Sequence, residues 1–213
     1  PRQSSGSEGM LQFQVASRPG PVGLLVGHLL TAQRCRHREE VFDQALALVP
    51  RDGLVCEFGV FEGASTNYLA RRLPGRRLFG FDSFEGLPED WRPDFEAGMF
   101  STGGRLPQVE ANVTLIKGWF EQTLPPFAAA HPGQVALLHI DCDLYSSTKC
   151  VLAHLGDRIG PGAILVFDEF FNYPGWEEHE FRAFSEFVKA RQLRHEIIAW
   201  NAEHEQIAIR IIG

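Results

Sequence analysis

The stretch Leu54-Val55-Cys56-Glu57-Phe58-Gly59-Val60-Phe61-Glu62-Gly63-Ala64-Ser65-Thr66 leaves this chain few folds to choose from. It opens as a short apolar run of the kind a buried strand shows. It then breaks into a glycine-containing turn and runs into Asn67 to Leu73, which reads as a helix. A strand, a tight glycine turn and a helix N-terminus make the ligand cradle of an open α/β sheet.

The glycine spacing narrows the ligand. A dinucleotide turn is built on G-x-G-x-x-G, whose middle glycine lets the backbone approach a pyrophosphate. Here Gly59 and Gly63 are four apart, and Phe61 stands where that middle glycine would be. A phenylalanine obstructs a pyrophosphate but admits a ligand that brings an amino-acid end to the turn. S-adenosylmethionine has that shape, and Glu57 at the strand end is placed to receive its ammonium. The expected cofactor contacts from this stretch are Glu57, Phe58, Gly59, Gly63, Ser65 and Thr66. The run Arg76 to Asp82 reads as the next strand. Asp82 ends it, 19 residues after Gly63 and followed by Ser83. An acid at that distance is placed to accept hydrogen bonds from ribose hydroxyls.

These residues resemble a known family. Glu57-Phe58-Gly59-Val60 with Gly63, then Gly80-Phe81-Asp82-Ser83-Phe84-Glu85-Gly86-Leu87-Pro88, look like the class I S-adenosylmethionine-dependent methyltransferases. More narrowly they resemble the macrocin O-methyltransferase-like group, which works on natural-product sugars. The resemblance continues through His139 to Thr148 and Val166-Phe167-Asp168-Glu169, and covers roughly residues 40 to 212. It implies a Rossmann-like α/β fold: a mostly parallel sheet, helices on both faces, and an antiparallel end to the sheet.

The rest of the chain fits that plan. Val41, Phe42, Ala45, Leu46 and Val49 recur at helical spacing within Arg36 to Val49, and Pro50 ends the run. Val113 to Gly118, Val135 to Ile140 and Ala163 to Phe167 read as the third, fourth and fifth strands. Thr148 to Leu155 starts the helix after the fourth strand, and Trp176 to Arg191 reads as an amphipathic helix with a core-facing phenylalanine stripe. His195 to Trp200 and Gln206 to Ile212 read as a terminal hairpin. Strands alternating with helices give a parallel sheet, with ligands at the carboxyl ends of its strands. Glu57, Asp82, Asp141 and Asp168 are therefore expected along one edge. Glu85 to Gln108 is long, irregular and glycine-punctuated. It reads as a lid over the ribose end, with Trp91, Phe95 and Phe100 as covering aromatics.

Chemistry is expected at the strand-end acids. Asp141, Asp168 and Glu169 have the oxygen donors of a Mg²⁺ site, with Asp143 outside the ion's first shell. The macrocin-like group usually carries two aspartates after the fifth strand, so Glu169 departs from its pattern. Asp141 and His179 are the candidate bases, while His139 reads as a satisfied core histidine. By resemblance the adenine lies near Gly118, Trp119 and Phe120, and Asp141 also touches the cofactor. The acceptor is then a small-molecule hydroxyl, with N-methylation left open. A nicotinamide-dependent oxidoreductase or epimerase, and a binding protein without turnover, are the competing classes.

A net charge of −7 and a pI near 5.6 argue against a nucleic-acid partner. Cys35, Cys56, Cys142 and Cys150 show no C-x-x-C spacing, so no zinc site is expected, and reduced thiols imply a cytoplasmic protein. No apolar run is long enough to span a bilayer. Residues 1–10 read as a tail or expression remnant. Residues 11–213 read as one domain, with 11–50 an N-terminal helical segment that the resemblance makes a homodimer surface.

Overall fold

The computed structural model describes residue 25 and residues 27–213. The expected tail and the first part of the N-terminal segment lie outside them. Eight strands form one sheet: β1 (Gln33–Cys35), β2 (Leu54–Phe58), β3 (Leu78–Asp82), β4 (Val113–Lys117), β5 (Val135–Ile140), β6 (Ile164–Phe167), β7 (His195–Asn201) and β8 (Ile207–Ile211). Their order is β1-β7-β8-β6-β5-β2-β3-β4. β8 runs antiparallel to both β6 and β7, and every other pair is parallel. The expected terminal hairpin is therefore present, and β8 is the strand that lies against the parallel part of the sheet. β1 is an addition to the expected plan, a three-residue edge strand paired to β7.

Among the described residues the two faces are covered by α1 (Arg38–Leu46), α2 (Ala64–Arg72), α3 (Phe120–Ala130), α4 (Tyr145–Leu155) and α5 (Glu180–Arg191). Strand residues alternate between faces. Val55, Leu137, Ile164 and Val166 point to one face and pack with Val41, Phe42 and Ala45 of α1 and Leu69 of α2. Cys56, Phe58, Leu138, Ile140 and Phe167 point to the other face, against Phe127 of α3, Val151 and Leu155 of α4 and the Phe181, Phe184 and Phe187 stripe of α5. That stripe is core, as its helical spacing predicts.

Helix α3 departs from the sequence reading, which left its residues unassigned. Pro125 and Pro126 sit inside it. Each removes an amide donor from the helix ladder and normally breaks it. Arg158 donates to the carbonyls of Ala128 and His131, both at 2.5 Å, which ties the C-terminal end of the helix to the body. Helix α5 begins later than expected, since Trp176–Glu178 forms a separate 3₁₀ turn. All four cysteines are free thiols. Among the described residues no helix is long and apolar enough to cross a membrane.

Candidate active site

The order in which strands are added reverses between the parallel neighbours β2 and β5: β3 and β4 build outward on one side, β6 on the other. The loops after β2 and β5 part here, and such a switch point opens a crevice at the strand ends. Gly59 occupies the crossing. It has φ +94°, and a Cβ on it would lie 1.7 Å from the carbonyl oxygen of Asp141. Only glycine fits where the two loops touch. A cavity of about 390 Å³ opens from this point.

One end of the cavity is organised by Asp82. Its Oδ2 accepts the amides of Val60 and Phe61, each at 2.8 Å, and its Oδ1 accepts that of Phe84 at 2.6 Å. The carboxylate thus holds the glycine turn in shape while remaining on the cavity wall. Gly59, Ser65, Asp82, Ser83, Gly118, Trp119 and Phe120, all expected cofactor contacts, line the cavity together. Phe61 lines it as well, so the side chain that blocks a pyrophosphate faces the ligand space.

Other expected contacts do not reach the cavity. Phe58 is fully buried against Phe81, with ring centroids 4.9 Å apart. Gly63 caps α2 from behind the turn, with φ +81°. Glu57 is fully buried inside β2 rather than at a strand end. By alternation it shares the face of Val55, where Thr66 of α2 donates a hydrogen bond to its Oε2. Its Oε1 meets His139 Nδ1 at 2.9 Å, the residue directly across on β5. Both oxygens are taken, so an ammonium has no route to Glu57 in this arrangement.

His139 is a bridge. On its other side Nε2 lies 3.7 Å from Asp168 Oδ1. Burial disfavours its charged form, but Asp168 and Glu57 outweigh that and push its pKa up to about 10. The reading of a core histidine holds for its burial, but Nε2 has no hydrogen-bond partner among the described residues, and its two carboxylate neighbours favour its charged form. Asp168 shows the reciprocal effect. Burial would raise its pKa, yet His139 and Arg38 hold it below the ordinary carboxylate range. Its Oδ2 also accepts from Arg38 Nη1 at 3.4 Å and Gln206 Nε2 at 3.1 Å.

The remaining acids face one another. Asp141, Asp143 and Glu169 each offer an oxygen, all within 4.8 Å of the others, and His139, Asp141 and Asp168 form a second such group. Asp141 belongs to both. The expected set of Asp141, Asp168 and Glu169 is thus regrouped: Asp143 joins Asp141 and Glu169, while Asp168 is drawn toward His139 and Arg38. Burial and then the neighbouring Asp168 raise Asp141 well above its ordinary value. Burial likewise takes Asp143 up to about 7, and burial with Asp143 raises Glu169. Glu169 Oε2 and Asp168 Oδ1 are buried with no hydrogen-bond partner.

His179 lies off the cavity wall. Its ring sits beside Trp91 and Tyr173, each 6.3 Å away between centroids, and burial lowers its pKa. The loop of residues 85–108 forms a folded wall. Leu87 and Gly98 amides bond to Met99 and Leu87 carbonyls, and Thr102 and Gly104 amides to that of Phe84. Of its three expected covering aromatics only Phe100 reaches the cavity; Trp91 is buried and Phe95 packs beside it.

Two site residues were not expected. Arg38, at the start of α1, is the guanidinium between Asp141 and Asp168, at 3.9 and 3.4 Å. Glu180 is fully buried and accepts the amides of Cys142 and Glu169, at 3.4 and 3.3 Å, so it clasps the loops that carry the acids. A signal for Glu180 existed: it shares one helical face with Ala183, Phe184 and Phe187, and a carboxylate on an apolar stripe must have partners.

The switch-point cavity and the turn after β2 define an open α/β fold of the class I methyltransferase type. A family model described as a methyltransferase domain matches residues 56–170, and the chain belongs to that family. It is 33% identical over 145 residues to the 8-demethyl-8-(2,3-dimethoxy-alpha-L-rhamnosyl)-tetracenomycin-C 4'-O-methyltransferase of Streptomyces olivaceus, covering 57% of this chain and 54% of that one. It is 28% identical over 164 residues to the mycinamicin III 3''-O-methyltransferase of Micromonospora griseorubida, covering 62% of each. The matches thus span less than two thirds of these curated relatives. Among solved structures, the calicheamicin methyltransferase CalS11 superposes with a TM-score of 0.64 at 24% identity, over 92% of this chain and 88% of that one.

Proposed function

We propose that this chain transfers a methyl group from S-adenosylmethionine to a hydroxyl of a small molecule, a sugar on a natural product, with a divalent cation at the acid group. One observation carries the reading. A single cavity has a carboxylate-braced glycine turn at one end and three mutually facing carboxylates at the other. The first end suits a cofactor and the second an acceptor hydroxyl, and the family supplies the reaction class. The rhamnosyl acceptor named for one relative and the natural-product acceptor named for another support the substrate class.

The cofactor supplies a methyl carbon already activated on a sulfonium. The chain's task is then alignment, which alone can contribute several kcal/mol. Gly59 and Val60 bring backbone close to the ligand space, and Asp82 retains acceptor capacity toward ribose hydroxyls. Asp141, which lines the cavity and is shared by both acid groups, is the carboxylate that takes the hydroxyl proton. His179 has no access to that proton from its place beside Trp91.

The donor set fits a hard cation. Oxygen ligands, crowding of like charge and an orphaned buried Glu169 oxygen are what such an ion relieves. Asp141, Asp143 and Glu169 would hold it, with Asp168 kept in reserve by His139 and Arg38. When bound it would orient the acceptor hydroxyl and lower its pKa.

The test combines chelation with direct binding. Treatment with EDTA should lower turnover by about a hundredfold and leave affinity for S-adenosylhomocysteine within about twofold. Calorimetry should show Mn²⁺ binding to the wild type and its loss in Glu169→Gln. Full turnover in metal-free enzyme would leave Asp141 as the sole promoter. A thermal shift with NAD and none with S-adenosylmethionine would overturn the whole reading.

A further inference from the structure

Among the described residues that line the cavity, Arg38 is the one cation and the one contributed from before Gly59. It also lies outside the stretch 56–170 that carries the family match. The winding of the chain brings it there. β1 pairs with β7, and α1, which follows β1, packs on β7, β8 and β6. The first residue of α1 thereby meets Asp168, just after β6. Gln206, just before β8, reaches the same carboxylate.

Arg38 stands beside a set of donors that suits a second cation. His139, Asp141 and Asp168 each offer one atom within 4.8 Å of the others. His139 Nε2 and Asp168 Oδ1 lie 3.7 Å apart. Both are buried and, among the described residues, without a hydrogen-bond partner. Imidazole nitrogen with carboxylate oxygen is a donor set for a divalent transition ion. Yet Arg38 Nη1 is already placed there, 3.4 Å from Asp168 Oδ2 and 3.9 Å from Asp141 Oδ2. A guanidinium keeps its charge in a protein, so this positive charge stays whether or not an ion arrives. A further cation beside it meets like charge in a partly desolvated space, which opposes binding. Asp168 does not depend on Arg38 for its placement, since Gln206 Nε2 donates to the same oxygen at 3.1 Å. The guanidinium is a matter of charge more than of packing, and its side chain is one-third exposed, at 33%.

We propose that Arg38 is a positioning residue that keeps the site to a single ion. Its guanidinium supplies the positive charge that a second cation at His139, Asp141 and Asp168 would bring, and so leaves Asp141 to the group with Asp143 and Glu169. This rests on the divalent-cation reading above. The experiment counts Mn²⁺ bound per chain, by calorimetry and electron paramagnetic resonance, in wild type, Arg38→Lys and Arg38→Gln. Affinity for S-adenosylhomocysteine shows that each is folded. Wild type should bind one ion per chain, and so should Arg38→Lys, which keeps the charge. Arg38→Gln should bind two. Because both groups share Asp141, those ions should stand about 4 Å apart and broaden each other's spectrum. One ion in Arg38→Gln overturns the proposal and leaves the proposed function standing. Two ions in wild type do the same, whatever the variants show. No ion in wild type but one in Arg38→Gln supports the guanidinium as the resident cation and removes the metal from the proposed function. No ion in any of the three overturns both.

Discussion

The two ends of the cavity hold carboxylates in opposite circumstances. Asp82 at the β3 end is answered by three backbone amides, which turn its charge into the shape of a loop. Asp141, Asp143 and Glu169 at the β5 and β6 end face one another instead, and their pKa values rise. Both sets sit beyond strand ends of one sheet, so topology alone does not distinguish them. The difference lies in the partners each loop provides. An acid whose partners belong to the chain is committed to structure, and its role in binding is added to that. Acids whose partners are one another are left for a cation or proton that arrives.

The largest expected effect breaks the comparison at its hinge. Gly59 is where the two ends touch, through the Asp141 carbonyl. Gly59→Ala must relieve a Cβ placed only 1.7 Å from the Asp141 carbonyl oxygen and adopt φ +94°. Strain and overpacking together should cost at least about 3 kcal/mol. Urea unfolding should show that loss, with S-adenosylhomocysteine binding abolished in whatever remains folded. A variant of native stability would mean that the loops slide past each other freely.

The second effect concerns His139, which is buried between Glu57 of β2 and Asp168 after β6. Its pKa is raised from 6.5 to about 10 on folding. A raised pKa means the folded state holds a proton that the unfolded chain releases. The stabilisation is fully present below about pH 6.5 and fades as pH rises toward 10. In metal-free protein, wild type should therefore lose thermal stability between pH 7 and pH 10 faster than His139→Gln. The gap in Tm between the two should narrow by several degrees. A gap that stays constant over that range would show His139 to be neutral.

Much of the fold was legible because local patterns repeat it. The apolar strands, the glycine turn and the stripe of α5 each state their own structure, and the cavity sits where the turn predicts. What was not legible depends on which face a side chain takes. Glu57 reads as a strand-end acid, but one residue of alternation sends it inward to His139 and Thr66. Asp143 reads as an outlying acid, yet a left-handed residue, φ 64°, turns its loop back beside Asp141 and Glu169. Helix α3 was hidden because two adjacent prolines contradict the local rule, and the tie at its C-terminal end comes from Arg158, some thirty residues away.

The smallest effect sharpens the comparison, because the same substitution is made at both ends. Asp82→Asn keeps the size of the side chain but replaces one acceptor oxygen with a donor that faces a backbone amide. Leaving a turn amide without its partner should cost about 1–3 kcal/mol. Asp143→Asn removes a charge that its neighbours oppose, and asparagine tolerates the left-handed backbone there better than most residues. In EDTA at pH 7 that variant should stay within about 0.5 kcal/mol of wild type, or exceed it. The two variants should then exchange ranks in a binding assay: Asp143→Asn should lose Mn²⁺ affinity and keep S-adenosylhomocysteine, while Asp82→Asn should do the reverse. Parallel losses of stability at both positions would show that the acids after β5 and β6 are satisfied within the fold, and the contrast between the two ends would disappear.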